Sequence, residues 1–424
     1  MKYKKTLVYT VVRRLFVSFL LILVIGLRVF AQINLPPDTK RVLERFESKI
    51  KESAEQDGIG SITAAVVFGD TVVWSRSYGW ADSKTHSLAS TQNIYRIGSI
   101  SKSITATVLV LLAERAILKL DDPVEKFVPE IRNLANSPED AAYITLRQLA
   151  NHTSGLATEP NLPGASTGPF ETWEQKVLAS IPTTSLENTP GQQYLYSNIG
   201  YGILGLAIGR AANKSFIDLV VELLFEPLQM DHSTFTLTPE QNQLLATGYS
   251  NSIYSFHTVN EALPAEEHIG RGYRVPNGGV YSTVTDMAKF VAAQTGAVQL
   301  ISESGRAELH RFYTSEESET GKRGYGLGFS LDSSKTDGAF YISHNGLVEG
   351  YSASFYCELD SRIGVILLRN YNVGTLNLDC AGSLLQELVE LHCGETQSRH
   401  NNSLKPTASA WHAIHNRQQP KQPN

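Results

Sequence analysis

The chain has 424 residues, 42% hydrophobic and 19% charged, which suits one large domain or two ordinary ones and excludes a disordered or fibrous protein. Its formal net charge is −5 and the body of the chain carries no basic cluster, which excludes nucleic acid and anionic membrane surfaces as partners. Three cysteines, Cys357, Cys380 and Cys393, leave room for one disulfide but not for a disulfide-framed fold.

Residues 1–31 read as an address. Lys2, Lys4, Lys5, Arg13 and Arg14 precede an apolar run from Leu15 to Leu27, and Val29-Phe30-Ala31 offers a cleavage site. This is the layout of a secretory signal peptide, and the run is shorter than the ~20 residues a bilayer span needs. An uncleaved N-terminal membrane anchor is the alternative. Arg13-Arg14 fits a twin-arginine signal, but the very apolar run behind it favours the general export route. No cysteine stands at the cleavage site, so lipid attachment there is excluded. Cleavage removes six positive charges and no negative ones, leaving an acidic exported protein, periplasmic or secreted.

Residues 39–57 place Val42, Leu43, Phe46 and Ile50 at helical spacing. The runs 62–68 and 71–78, joined across Gly69-Asp70, predict an antiparallel hairpin. From Ser99 to about Leu120 the pattern is helical and apolar nearly all round, as in a helix buried mid-protein. Residues 123–290 alternate helices, at 200–212, 216–225 and 285–295, with loops rich in Pro and Gly. Strands are predicted at 325–331, 339–343, 351–357 and 362–368, then a helix over 375–392. The polar stretch from Gly394 predicts a disordered tail. The fold class is α+β: one antiparallel sheet built from both chain ends, flanked by helices and carrying a mainly helical insertion. The domain covers 32–393, with sheet parts at about 38–98 and 291–393 and the helical part at about 99–290.

Ser99 and Lys102 stand three residues apart at the start of the buried helix, so they share a face. A serine hydroxyl is a weak nucleophile until a base takes its proton, and lysine is that base only where burial lowers its pKa. The helix start also brings backbone N–H groups to a developing oxyanion. Taken alone, Ser99 reads equally well as a helix N-cap. The same S-x-x-K spacing at Ser48 and Lys51 falls on a charged helix face and reads as solvated surface.

Several ordered blocks resemble the serine β-lactamases and DD-peptidases, in particular the class C-like branch with its related esterases and D-aminopeptidases. They are IYRIGSISKSITA around Ser99, ITLRQLANHTSGL at 144–156, TPGQQYLYSNIGYGILG at 189–205, EPLQMDHSTF at 226–235, NGGVYSTVTDMAKF at 277–290 and HNGLVEGYSASF at 344–355. The resemblance covers about 54–391 and implies a β-lactamase/transpeptidase-like fold. It implies that Tyr196 exchanges protons with the nucleophile and leaving group, and that Asn198 binds the acyl-side amide of the substrate. It also implies that His344 and Gly346 line the site in place of a Lys-Thr-Gly strand, and that the N–H groups of Ser99 and Leu347 form the oxyanion hole. Physically, Lys102 near Tyr196 would favour a phenolate, His344 would direct a hydrogen bond or charge at a carboxylate, and Gly346 would admit the substrate backbone. The bland alternative for His344 is a locally bonded histidine at a strand end.

Three decoys accompany these motifs. Tyr249-Ser250-Asn251 repeats the tyrosine motif in a polar loop, and Lys335-Thr336-Asp337 has Asp where a glycine belongs. Gly164-Ala165-Ser166-Thr167-Gly168 matches a nucleophile elbow, but Pro160, Pro163 and Pro169 make it a loop. Histidine spacing predicts no metal, and no cofactor is implied. The expected function is an exported serine hydrolase working through an acyl-enzyme on a small-molecule or peptide substrate. D-amino-acid peptides come first, carboxylic esters second and β-lactams third. The absence of Lys-Thr-Gly counts against efficient β-lactamase activity, and a non-turnover scaffold or penicillin-binding protein is the reading from another class.

Overall fold

A computed structural model describes residues 35–136, 143–250, 263–264, 271–335 and 338–403, with side chains to 393. The expected signal peptide lies outside the described residues, as do Asn251, Thr336, Asp337 and everything after Ser403. The chain divides into two units, residues 1–40 and 41–424. Of the first, the described residues 35–40 include the opening of helix α1 (Pro37–Asp57).

The centre of the second unit is a nine-stranded antiparallel sheet. The first chain end supplies β1 (Ser61–Phe68), β2 (Thr71–Asp82) and β3 (Ser87–Leu88). The other end supplies β4 (Thr314–Glu317), β5 (Gly321–Tyr325), β6 (Ser330–Ser334), β7 (Phe340–Val348), β8 (Tyr351–Glu358) and β9 (Ile363–Arg369). The spatial order is β3-β2-β1-β9-β8-β7-β6-β5-β4, so β1 pairs with β9 and the two ends of the fold meet at Ala64 opposite Leu367. These two strands are apolar on both faces because both faces are covered.

Which helix covers which face follows from alternation along the strands. A Cβ on Gly364, which pairs with Cys357 and Val67, would meet Val291, so helix α4 (Val284–Gln294) lies on the Cys357 face. A Cβ on Gly382 would meet Tyr356, so helix α5 (Cys380–Ser403) lies on the other. Between the sheet and the helical part runs α2 (Ser101–Glu114), buried from Ser101 to Leu112 as its composition predicts. Its polar residues are satisfied internally. Ser103 Oγ donates to the Gly328 carbonyl at 2.6 Å, and Thr105 Oγ1 to the Pro276 carbonyl at 2.6 Å.

Several boundaries differ from expectation. The 325–331 run is not one strand but the end of β5, a turn, and the start of β6. Gly328 takes φ +77° there, and a Cβ would lie 2.8 Å from the Lys102 carbonyl oxygen, so the turn docks on α2. The helix from Ser99 opens as a 3-10 turn, Gly98–Ile100, and ends at Glu114 instead of Leu120. The helix over 216–225 is α over Phe216–Val220 and π over Val221–Phe225. Helix α5 starts at Cys380 rather than 375, and its backbone stays helical past Gly394 to Ser403. Cys357, Cys380 and Cys393 are free thiols. Among the described residues no helix is long and apolar enough to cross a membrane.

Candidate active site

The turn Gly98–Ile100 presents Ser99 at the head of α2. Strand β7 lies directly on this turn. A Cβ on Gly98, at φ +53°, would come 2.8 Å from Leu347 N, and one on Gly346 would come 1.9 Å from the Ile97 carbonyl oxygen. The two glycines permit this approach, which brings the backbone amides of Ser99 and Leu347 alongside each other. A side chain at Gly346 is barred by the protein's own Ile97 carbonyl, while the Gly346 backbone lines the cavity beside Ser99 as expected. Leu347, 53% exposed, lines the same cavity.

Lys102 is fully buried. Its Nζ donates to Asn198 Oδ1 at 2.8 Å and to the Asn277 carbonyl at 3.3 Å, and lies 3.2 Å from Ser99 Oγ. A neutral amine has two N–H donors. In that form the two carbonyl oxygens take both and leave the lone pair for the Ser99 hydroxyl, whereas the ammonium form donates its third N–H to Ser99 Oγ. Burial holds the Lys102 pKa well below the ordinary lysine value; Glu159 pulls it up, and Arg274 and Arg271 push it down. Burial likewise lowers Arg271, to about 9, with Arg96 adding to the effect.

The Tyr-Ser-Asn motif divides its labour. Ser197 caps helix α3 (Asn198–Ala212): its Oγ accepts from Gly200 N at 3.0 Å and donates to the Ala157 carbonyl at 2.7 Å. That cap leaves Tyr196 beside Ser99, with the Lys102 Nζ 4.6 Å from its ring centroid. Burial raises the Tyr196 pKa to about 12, although the Ser99 hydroxyl draws it down. The expected phenolate is therefore corrected to a neutral phenol, because desolvation of the phenol outweighs the hydrogen bond from Ser99. The Oδ1 of Asn198 holds Lys102 and one N–H of its Nδ2 goes to Glu159 Oε1 at 2.6 Å, so the amide is tied into the protein and keeps one N–H for other partners. Glu159 pairs in turn with Arg274 at 2.7 Å.

His344 is corrected as well. It is buried behind β7, its Nδ1 2.7 Å from the Asn345 carbonyl and its Nε2 3.1 Å from Tyr325 Oη. The carbonyl requires a proton on Nδ1, so Nε2 accepts from Tyr325. Burial and the neighbouring Lys102 lower its pKa to about 3, so it offers no charge to a carboxylate. Its strand neighbour Asn345 faces the cavity instead.

Three partners carry no signal in the short motifs. His152, at φ +60°, stacks under Tyr196 with centroids 4.2 Å apart and accepts from Ser197 N at Nδ1, 3.1 Å away. Asn277 Nδ2 donates to the Asn198 carbonyl at 2.9 Å while its own carbonyl holds Lys102. Glu159 is the third. His152 and Asn277 lie in the blocks at 144–156 and 277–290, but nothing in those letters assigns the contacts.

The decoys separate cleanly. Ser48 Oγ donates to the Glu44 carbonyl and Lys51 pairs with Glu55, both on exposed α1. Tyr249 is buried, its hydroxyl accepting from Ser83 N and donating to Asp82. Ser166 sits in a turn, and Lys335 is exposed after β6. A cavity of about 550 Å³ opens beside Ser99, walled by Tyr196, Asn345 and Leu347 on one side and by the loop 372–379 on the other. Among the described residues no three His, Cys, Asp or Glu side chains are grouped to hold a metal ion.

Beta-lactamase-like protein 4 of Dictyostelium discoideum is 28% identical over 340 residues, 74% of this chain and 57% of that protein. Penicillin-binding protein 4* of Bacillus subtilis is 28% identical over 331 residues, 73% of this chain and 68% of that one. The D-alanyl-D-alanine-carboxypeptidase/endopeptidase AmpH of Escherichia coli is 28% identical over 61% of this chain and 63% of its own. The match thus spans little more than half of the first of these relatives. The fold matches the octameric penicillin-binding protein homologue of Pyrococcus abyssi, with TM-score 0.68, 24% identity, and coverage of 83% of this chain and 77% of that one. It also matches a class C beta-lactamase with TM-score 0.67, 18% identity, and coverage of 84% and 98%. The Beta-lactamase family model matches residues 46–384, and the chain belongs to that family.

Proposed function

We propose that this protein is an exported serine hydrolase that forms an acyl-enzyme on Ser99. The observation that supports it most is the placing of Lys102: its Nζ is fully buried, held by Asn198 Oδ1 and the Asn277 carbonyl, and stands 3.2 Å from Ser99 Oγ, where burial lowers its pKa and suits it to act as base. In the proposed cycle Ser99 Oγ attacks the carbonyl carbon as Lys102 takes its proton. The oxyanion rests on the Ser99 and Leu347 amides. The neutral Tyr196 gives its proton to the leaving amine or alcohol as the C–N or C–O bond breaks, and Lys102 restores it. Water then attacks the ester, and the same groups return Ser99 to its hydroxyl form.

D-amino-acid peptides and related amides are the first choice of substrate, with small esters second. Export rests on the N-terminal charge and hydropathy pattern. The test is incubation of the purified protein and Ser99→Ala with D-alanyl peptides, p-nitrophenyl esters, a chromogenic cephalosporin and a labelled penicillin. Turnover lost in Ser99→Ala supports the proposal. Turnover that survives the substitution contradicts it, and absence of both turnover and label favours a scaffold.

A further inference from the structure

The cavity beside Ser99 differs in charge from one built for a terminal carboxylate. Two described residues on its lining carry a formal charge, Arg369 and Asp379. Arg369 is 4% exposed and spoken for: Nε donates to Ser352 Oγ at 2.8 Å and the Tyr371 carbonyl at 3.2 Å, Nη1 to the Leu376 carbonyl at 3.0 Å, and Nη2 to the Asn372 carbonyl at 2.8 Å. Its work is to hold the loop 372–379 in place. Lys102 is fully buried with its Nζ taken up by Asn198, the Asn277 carbonyl and Ser99, Arg274 is paired with Glu159, and His344 is turned inward.

Asp379 is the opposite case. It is exposed at the end of that loop, and its Oδ1 accepts from Asn345 Nδ2 at 3.3 Å and Tyr356 Oη at 2.9 Å. Asn345 stands two residues before Leu347 on β7, which sets the carboxylate roughly 7 Å or a little more from the oxyanion amides. Between the two, the lip is apolar. Leu347 and Val373 are 53% and 44% exposed, and both line the cavity. Among the described lining residues a terminal carboxylate finds no unpaired side-chain cation and meets an anion, whereas an ammonium on an apolar arm is complemented along its length.

We propose that Asp379 is a specificity-determining residue that selects amides or esters bearing an apolar arm and a positive charge, and disfavours substrates with a free carboxylate there. This rests on Ser99 being the acylated nucleophile. The test is kcat/KM for two ester series in wild type, Asp379→Asn, Asp379→Lys and Ser99→Ala. One series carries the charge on the acyl chain: p-nitrophenyl hexanoate, 6-aminohexanoate and hydrogen adipate. The other carries it on the alcohol: butanoate esters of hexanol, 6-aminohexanol and 6-hydroxyhexanoate, followed by pH-stat.

In at least one series the wild type is expected to prefer the cationic ester over the anionic one by about tenfold at low salt, less as salt is added. Asp379→Asn, which keeps the bond to Asn345, should bring that ratio to within about twofold, and Asp379→Lys should invert it. Ser99-dependent hydrolysis that ignores charge in both series, or favours the anion, overturns this proposal alone. Hydrolysis that survives Ser99→Ala overturns the hydrolase assignment beneath it.

Discussion

Glu159 holds the Lys102 pKa up against burial, so replacing it with glutamine should move the pH dependence of acylation in a known direction. Base catalysis needs the neutral amine, and the acid limb of kcat/KM therefore follows the Lys102 pKa of the free enzyme. Removing a negative charge destabilises the ammonium, lowers that pKa, and shifts the limb to lower pH. The path runs 2.6 Å from Glu159 Oε1 to Asn198 Nδ2 and 2.8 Å from Asn198 Oδ1 to Lys102 Nζ. The two charges are thus about 7 Å apart, worth roughly 0.6 kcal/mol in water and about 2.4 kcal/mol at an effective dielectric of ~20. Glu159 is partly exposed, so a shift of about one pH unit is expected. Arg274 acts on Lys102 in the opposite sense, and Arg274→Gln should move the limb upward. The assay is the rate of fluorophosphonate labelling of Ser99 across the acid and neutral range. A limb that stays in place, or rises, in Glu159→Gln refutes the assignment of Lys102 as base.

Gly346→Ala should lower acylation about a hundredfold while the far-UV spectrum is kept, since its Cβ must push β7 off the Ile97 carbonyl and misplace an oxyanion donor. Tyr196→Phe should slow turnover about 10²–10⁴-fold in steady-state assays. His152→Ala should destabilise the fold by about 2–4 kcal/mol in urea titrations, because it empties the space under Tyr196 and orphans Ser197 N–H. Lys102→Met should slow the labelling of Ser99 severely. The folded pKa of Lys102 is depressed, so the unfolded chain binds more protons from that value up to about 10.5, and wild type should gain on Lys102→Met as pH rises through that window. A stability gap independent of pH contradicts a neutral buried amine.

The approach of Lys102 to Ser99 was legible because the two stand three residues apart at one helix start, where spacing in sequence is spacing in space. The central helix and the joining of both chain ends were legible for a similar reason, since apolar periodicity reports burial directly. The inward turn of His344 was not, because it depends on Tyr325 across two neighbouring strands. Nor was the tie of the Asn198 amide to Glu159, from a loop 39 positions earlier. The 325–331 run alternates like a strand, yet its glycines pack on the Leu309 and Lys102 carbonyls and make a turn. In each case tertiary contact decided the outcome.

The central claim is a covalent intermediate on one serine, and peptide mapping of the fluorophosphonate-treated protein by mass spectrometry tests it most directly. The account predicts one adduct, on the peptide carrying Gly98-Ser99-Ile100-Ser101-Lys102, absent from Ser99→Ala and much slower in Lys102→Met. An adduct on Ser166, or one that persists in Ser99→Ala, contradicts it.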